Sequence, residues 1–223
     1  MGTLIIDDDV VNRAYGRALE QAGLRPGQDA FDQAMAGVDA LRGRPTLVVL
    51  TSVLGDAVVA EEATWAFDDS ILEETQNLKP VRGAQEVLAE LGDRHILTAV
   101  TTSFTPEVRR AALAALGWSE MFAAALSARG IRRGHPAPDL LLEAILKLRI
   151  DSVGQVAIVG DSAADLEAGN RAGAGLVIGV RSGGAPEHSL ASAPHTHLID
   201  SVADLIGVLD GPRIAGQRRA SDR

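Results

Sequence analysis

The chain has 223 residues, a formal net charge of −9 and 46% hydrophobic residues, which suits one globular core with room for a smaller inserted unit. The acidic balance argues against a nucleic-acid surface, and no apolar run approaches the roughly 20 residues that span a bilayer. The absence of cysteine excludes disulfides and thiolate metal sites. Since the start also lacks the pattern of a secretion signal, we expect a cytoplasmic protein.

The pattern of apolar residues changes along the chain. Residues 10–22 carry apolar positions at helical spacing and are followed by Gly23, which predicts a first helix with a glycine cap. Residues 27–77 contain no strong strand pattern and predict about three helices. Beyond them, strands and helices alternate; the predicted strands are 95–100, 123–126, 155–160, 175–180 and 197–199, and the predicted helices are 106–116, 138–148, 162–173 and 202–209. Apolar strands alternating with helices predict an α/β fold, a doubly wound parallel sheet with helices on both faces.

The early helical block divides this α/β pattern into two parts. We therefore predict an α/β core from residues 1–24 and 79–210, and an inserted α-helical cap from residues 25–78. The remaining segment, residues 211–223, is polar and rich in glycine and arginine. Such a composition buries too little apolar surface to fold, so we predict a disordered tail.

The stretch VAIVGDSAADLEAGNRAGA carries the strongest chemical signal. An apolar strand ends at Gly160, and Asp161 and Asp165 follow at the carboxyl edge, where open α/β sheets bind ligands. Two carboxylates four residues apart can face one point and hold Mg²⁺, which commonly binds through one or two carboxylates plus a phosphate. The simpler alternative is that Asp161 and Ser162 cap the following helix, which would leave the second acid unexplained.

Two further stretches contain candidate phosphate ligands. In LTAVTTSFTPEV a strand is followed by Thr101, Thr102 and Ser103 before a helix, so hydroxyls and free backbone N–H groups could hold a phosphate oxygen. The alternative there is ordinary helix capping. In RRGHPAPDLLLEAI, His135 lies in a loop stiffened by glycine and proline, where a cation would balance a phosphate. A surface histidine without a role is the alternative.

In this order, the three stretches resemble those of the haloacid dehalogenase-like hydrolase superfamily, from about residue 2 to residue 210. LAALGWSEMF and APHTHLIDSVADL also resemble its phosphonatase-like branch, which is related to phosphonoacetaldehyde hydrolase. The resemblance implies a Rossmann-like core with a helical cap, and Mg²⁺-dependent hydrolysis of a small phosphorylated metabolite through an aspartyl-phosphate. It implies that Thr101, Thr102 and His135 hold the phosphoryl group and that Asp161 and Asp165 hold the metal. Thr101, His135 and Asp161 are the catalytic residues that it predicts.

The opening, MGTLIIDDDV, resembles the family's first motif, which runs from a strand through Asp-x-Asp and Gly-Thr to a flap and a helix. In the favoured alignment, Gly2 and Thr3 take the Gly-Thr positions and bind phosphate. The nucleophilic aspartate would then lie one residue before Met1, which predicts an N-terminally truncated chain. In the other alignment Asp7 is the nucleophile and Asp9 the acid, but the flap is then deleted.

The favoured alignment has a consequence for the sheet. The family's first strand lies centrally, between the strands predicted at residues 95–100 and 155–160. Without it those two strands lose a hydrogen-bonding partner, unless residues 3–6 fill the gap. Each unpaired buried backbone group costs about 1–3 kcal/mol, so such a gap would be expensive.

Two departures from the branch affect the predicted activity. His135 stands where the branch has Lys or Arg, with Arg133 as an alternative cation, and residues 27–77 contain no lysine to form a Schiff base. Cleavage of a carbon–phosphorus bond by that route is therefore not expected. A catalytically inactive phosphate-binding or metabolite-binding relative remains an alternative, and a phosphorylation-receiver domain is disfavoured by the length and the cap. Cap residues that could line the entrance are Arg42, Arg44, Trp65 and Asp68.

Overall fold

The computed structural model describes residues 1–128 and 133–211. Within them the helices are α1 (Val10–Gln21), α2 (Asp29–Ala40), α3 (Thr46–Leu54), α4 (Ala57–Glu74), α5 (Ala84–Asp93), α6 (Pro106–Ala115), α7 (Asp139–Lys147), α8 (Ala163–Ala172), α9 (Glu187–Ser192) and α10 (Leu205–Asp210). The strands are β1 (Ala99–Thr102), β2 (Ala124–Ser127), β3 (Ala157–Gly160), β4 (Leu176–Val180) and β5 (His197–Ile199). Helices alternate with strands from β1 onward, as the sequence predicts. The predicted tail lies outside these residues apart from Gly211.

All strand pairs are parallel, but the strands form two sheets. One contains β1 and β2, with Thr101 opposite Leu126, and the other has the order β3, β4, β5. The α/β fold with parallel strands and packed helices is confirmed. No pairing joins β1 to β3 among the residues that the structure describes, so the parallel strands are divided between the two sheets.

The two strands that flank this break are shorter than predicted. The prediction of a strand from residue 95 is wrong, because α5 runs to Asp93 and His95 then adopts a left-handed backbone (φ 56°) that turns the chain. The strand predicted from residue 155 begins only at Ala157, after one turn of 3₁₀ helix.

Residues 3–6 do not fill the break between the sheets. Ile5 instead forms an isolated antiparallel bridge with Pro80. The Ile6 N–H donates to the Lys79 carbonyl at 2.9 Å, and the Val81 N–H donates to the Leu4 carbonyl at 2.9 Å. The opening of the chain thus lies along the segment that leads into α5, outside the sheets.

The helical segment α2–α4 packs with α1 around one apolar cluster. Helix α4 lies along α1 and α3, and Phe67 is fully buried with its ring 4.6 Å from Tyr15 and 6.0 Å from Phe104, between ring centroids. Since Phe104 follows β1, this cluster connects the predicted cap to the carboxyl edge of a sheet. No helix in residues 1–128 and 133–211 is long and apolar enough to cross a membrane.

Replacing the central ring of this cluster should destabilise the protein strongly. For Phe67→Ala we expect the free energy of unfolding to fall by about 3–5 kcal/mol, because the change leaves a cavity among buried rings. Urea denaturation measures the difference. The matched control is Trp65→Ala on the same helix, where the side chain is 65% exposed and the expected change is within about 0.5 kcal/mol. Equal losses in the two variants would contradict the packing.

Candidate active site

A cavity of about 140 Å³ lies between the helical segment and the carboxyl ends of β1 and β3. Thr101 comes to it from the end of β1, Asp161 from directly after β3, and His135 from the loop before α7. The three chemical stretches of the sequence therefore meet at one place. Other residues that line the cavity include Met1, Thr3, Asp7, Asn12, Arg42, Arg44, Thr102, Ser103 and Asp165.

Asp161 is a buried carboxylate enclosed by the start of the chain. The Thr3 hydroxyl donates to its Oδ1 at 2.6 Å. Gly2 and Gly183 approach so closely that a Cβ on either would lie 2.0 Å and 2.2 Å from atoms of Asp161, and Gly2 also has a φ of +92°. Only glycine fits at Gly2 on both counts. The predicted phosphate ligands Gly2 and Thr3 thus lie at the site, in contact with Asp161.

Burial determines the protonation of Asp161. Removal from water, together with the smaller effect of the neighbouring Asp165 charge, raises the pKa of this carboxyl to about 6. The amino terminus and the Thr3 hydroxyl act against this shift. An acid in this state binds a cation readily, because the cation removes the cost of the buried charge.

Asp165 lies behind Asp161 and is held from two sides. Its Oδ1 is 2.6 Å from His135 Nδ1, and its Oδ2 accepts from the Ser162 N–H at 3.0 Å. Burial alone would raise the pKa of Asp165, but the hydrogen bonds from His135 and Ser162 outweigh burial and lower it. Asp165 is therefore the ionised member of the pair, and it fixes the orientation of the His135 ring.

The capping alternative applies to Asp165 rather than to Asp161. Ser162 caps α8 by accepting from the Asp165 N–H at 3.2 Å, and Asp165 returns the bond to Ser162, so that the two form a capping box. The expectation that capping leaves the second acid unexplained is wrong. Asp161 precedes the cap and takes no part in it, which leaves it as the acid with no role in the helix.

His135 is buried, and its second ring nitrogen, Nε2, could bind a ligand. Nε2 has no hydrogen-bond partner among the residues in the structure. A buried polar atom in this state costs about 1–3 kcal/mol, so a ligand oxygen at this position would be stabilised. Arg133, the alternative cation, is exposed and pairs with Asp139 at 2.8 Å.

The hydroxyls after β1 also reach the cavity. Thr101, Thr102 and Ser103 all line it. The Thr102 hydroxyl accepts from the Phe104 N–H at 3.2 Å, and Thr105 caps α6. Capping of α6 thus falls to Thr105, and Thr101 lies in the lining of the same cavity as Asp161.

Of the three acidic residues Asp7 to Asp9, only Asp7 lines the cavity. Asp7 lines the cavity, but its Oδ1 accepts from the Val11 N–H at 3.0 Å and its Oδ2 lies 3.3 Å from Arg42. Asp8 and Asp9 are exposed, and Asp9 has a left-handed backbone at the start of α1. Asp7 does not project from a central strand, as its role as nucleophile would require, and Asp9 is not part of the lining.

Sequence reasoning left Arg42 undecided, and the structure places it in the lining of the cavity, just after α2. It donates to Asn12 at 2.7 Å and pairs with Asp7 and Asp39. Of the other candidates Arg44 lines the cavity, whereas Trp65 is exposed and Asp68 lies away from it. The signal that could have found Arg42 is its position beside Gly43, whose missing Cβ admits the Ser162 hydroxyl.

The donor set suits Mg²⁺ better than a metal that needs a protein cage. No group of three or more His, Asp or Glu side chains within residues 1–128 and 133–211 is arranged to hold a metal ion. Mg²⁺ does not need such a group, because it keeps waters and uses one or two carboxylates together with substrate oxygens. Asp161, with its raised pKa, fits the inner position, and Asp165 fits beside or behind it.

The pKa of Asp161 predicts how stability depends on pH when no metal is present. The folded protein holds this proton more tightly than the unfolded chain, so the stabilisation is complete below pH 4 and is lost as pH rises through about 6. The loss is on the order of 2–3 kcal/mol. Urea denaturation in EDTA at several pH values measures it.

The Asp161→Asn variant should lack this part of the pH dependence, because it cannot ionise. The exposed Asp151→Asn variant is the matched control and should keep the wild-type profile. Identical profiles for wild type and Asp161→Asn would contradict a raised pKa.

The position of Asp165 depends on Gly160. A Cβ at residue 160 would lie 2.3 Å from the Asp165 Cβ, so Gly160→Ala must displace the capping box and with it His135. We expect the free energy of unfolding to fall by about 1–3 kcal/mol in urea denaturation. Gly92→Ala in α5 is the control: it meets open space and should stabilise by up to about 1 kcal/mol. A Gly160→Ala protein as stable as wild type would show that the box is not tightly packed.

Comparisons with known proteins bear on this site. No curated protein matches the sequence. Among solved structures, a hydrolase from Pseudomonas syringae superposes with a TM-score of 0.82, at 22% identity over 94% of each chain. A phosphonoacetaldehyde hydrolase-like protein from Oleispira antarctica has a TM-score of 0.76, at 21% identity over 93% of this chain and 88% of that one.

A predicted phosphoglycolate phosphatase from Haemophilus somnus has a TM-score of 0.76, at 19% identity over 94% of each chain. Such varied neighbours show the fold and do not select the phosphonatase-like branch, which stays a prediction. The family profile described as haloacid dehalogenase-like hydrolase matches residues 2–173. This match covers more than half of the sequence, and the chain therefore belongs to the haloacid dehalogenase-like hydrolases.

Proposed function

We propose that this chain is a Mg²⁺-dependent phosphohydrolase that acts on a small phosphorylated metabolite. The observation that carries the proposal is the meeting of Thr101, His135 and Asp161 at one cavity, from three separate parts of the chain. Hydroxyl groups, a potential cation and a buried acid around one space suit a phosphate with a metal ion. The cavity volume of about 140 Å³ fits a small substrate better than a macromolecule.

The phosphoryl group would be held from both sides of the cavity. On the core side, Thr101 and Thr102 offer hydroxyls, and His135 offers the Nε2 atom that has no partner in the described structure. His135 Nδ1 lies 2.6 Å from Asp165 Oδ1, which orients the ring so that Nε2 is the atom offered to the phosphoryl group. On the cap side, Arg42 and Arg44 supply permanent positive charge.

Asp161 would hold the metal, supported by Asp165. When bound, Mg²⁺ would neutralise charge on the phosphoryl oxygens. Thr3 keeps one Asp161 oxygen in place, and the backbone of Gly2 and Gly183 lies close against the carboxylate. These residues position the acid before a ligand arrives, so no reorganisation is needed at binding.

The proposed route through an aspartyl-phosphate needs an attacking carboxylate. In the favoured alignment no residue of the given sequence takes this role, and Met1 lies at the cavity. Asp7 is the alternative within the chain, but hydrogen bonds occupy both of its oxygens. A phosphonatase reaction through a Schiff base is not proposed, since the cavity lining within residues 1–128 and 133–211 contains no lysine.

One observation favours a second candidate, a catalytically inactive phosphate-binding or metabolite-binding protein. Two of the carboxylates that line the cavity already have structural partners, Asp7 with Arg42 and Asp165 with His135. A protein that binds without reacting requires the hydroxyls, His135 and Asp161, but no free nucleophile.

The two candidates differ in turnover and share their dependence on Asp161. Phosphate release from a panel of small phosphate esters should require Mg²⁺, stop in EDTA, and fall about 10²-fold or more in Asp161→Asn. Thr101→Val should weaken binding of phosphate measured by calorimetry in the presence of Mg²⁺. The exposed Asp151→Asn variant should match wild type in both assays.

The Asp7→Asn variant tests whether Asp7 is the nucleophile. Loss of all turnover in Asp7→Asn, with binding retained, would assign the attack to Asp7. Mg²⁺-dependent binding without turnover in the wild type would establish the inactive candidate. Full turnover or full binding in Asp161→Asn would contradict both candidates.

A further inference from the structure

The loop that follows β4, residues 182–185, contacts two different walls of the candidate active site. We call it the glycine loop, because it contains the adjacent pair Gly183 and Gly184. A Cβ on Gly183 would lie 2.2 Å from the Asp161 Cβ, and a Cβ on Gly184 would lie 2.9 Å from Arg42 Nη1. One short loop therefore touches both the buried acid of the core and the arginine that follows α2.

Both ends of the glycine loop are fixed. Before it, the Arg181 N–H donates to the Ile199 carbonyl at 3.0 Å, which continues the pairing of β4 with β5. The Arg181 guanidinium also pairs with Glu187, the first residue of α9, at 3.1 Å. At the other end, Ala185 packs on the apolar cluster that contains Leu190. Only three residues separate these anchors, so the two glycines have little freedom to move.

The two glycine contacts are connected by a single peptide unit. Such a unit is planar and stiff, and consecutive Cα atoms are about 3.8 Å apart. The loop is therefore able to fix how far the Arg42 guanidinium stands from the Asp161 carboxylate. The other partners of this guanidinium include Asn12 at 2.7 Å and Asp39 at 3.1 Å, which lie on helices α1 and α2. Gly184 connects this group of helical residues to the core.

The two contacts differ in how far each neighbour can give way. Gly183 abuts the Cβ and carboxylate of Asp161, which is buried and bonded to the Thr3 hydroxyl, so an added side chain would displace the acid. Gly184 abuts the end of a long side chain, and an added methyl group would move the Arg42 guanidinium instead. Neither glycine has a φ in the left-handed range, so alanine tests the contact and not the backbone conformation.

We propose that Gly184 is a positioning residue, which places the Arg42 guanidinium for the phosphoryl group by fixing it relative to Asp161. Gly184 is not in the lining of the cavity, so it acts through Arg42 and does not touch the ligand. Arg42 then lies where its charge acts on phosphoryl oxygens whose other side faces Asp161. The inference rests on the proposed function, since it requires phosphate to bind between these two residues.

Calorimetry with inorganic phosphate in saturating Mg²⁺ tests the inference on the full chain. Gly184→Ala should weaken phosphate binding about tenfold, since a displaced guanidinium loses one charge-assisted hydrogen bond. Its affinity for Mg²⁺ alone, measured without phosphate, should stay within about twofold of wild type, because Asp161 is not displaced. Gly207→Ala in α10, where an added Cβ meets open space, is the matched control and should bind both ligands like wild type.

A double-mutant cycle distinguishes positioning from a general structural effect. In the Arg42→Ala background, Gly184→Ala should weaken phosphate binding no further, because the group through which it acts is gone. Additive losses in the double variant would show that Gly184→Ala acts elsewhere and would overturn the inference. A Gly184→Ala protein that loses Mg²⁺ binding as well as phosphate binding would show a disrupted site, and would also overturn it.

The same measurements separate this inference from the proposed function. If wild type binds phosphate with Mg²⁺ and Asp161→Asn does not, but Gly184→Ala binds like wild type, only the role of the glycine loop is overturned. If wild type and Asp161→Asn bind phosphate equally, or neither binds it, the proposed function fails and this inference fails with it.

Discussion

A carboxylate buried beside a second carboxylate is the constraint around which the site is built. Asp161 cannot be ionised at low cost in its position, because burial and the Asp165 charge both oppose it. The opening of the chain compensates with one hydroxyl from Thr3 and with glycine backbones that allow close contact. A bound cation would supply the rest, which explains why the acids, the start of the chain and the loop before α7 all meet there.

The fold was largely predictable from the sequence, because its signals are local. The alternation of apolar strands with helices depends on short segments whose periodicity is visible, and β5 at His197–Ile199 has the predicted bounds. The strands flanking the break were predicted too long at their amino ends. Their apolar residues are typical of a covered strand, but strand formation also requires a partner edge, and among the described residues neither strand has one on the side of the break.

The residues that meet at the site could be predicted from the order of strands and helices, whereas the hydrogen-bond partners of their side chains could not. Thr101, His135 and Asp161 could be placed at one edge because the carboxyl ends of parallel strands meet there. The pairing of Asp165 with His135 and the capping box could not be derived, since one acid at this spacing serves a helix cap or a metal equally well. Arg42 remained undecided because its partners Asp7 and Asn12 lie about 30 residues away in sequence.

The contact between Phe67 and Phe104 joins two regions that the sequence separates. Phe104 follows directly on Thr101 to Ser103, so the ring that packs against Phe67 also supports the loop that lines the candidate active-site cavity. The helical segment is consequently not an interchangeable module. A cap transplanted from a relative would have to reproduce a buried aromatic at position 67, or the loop would lose its support even though every group that touches the ligand were retained.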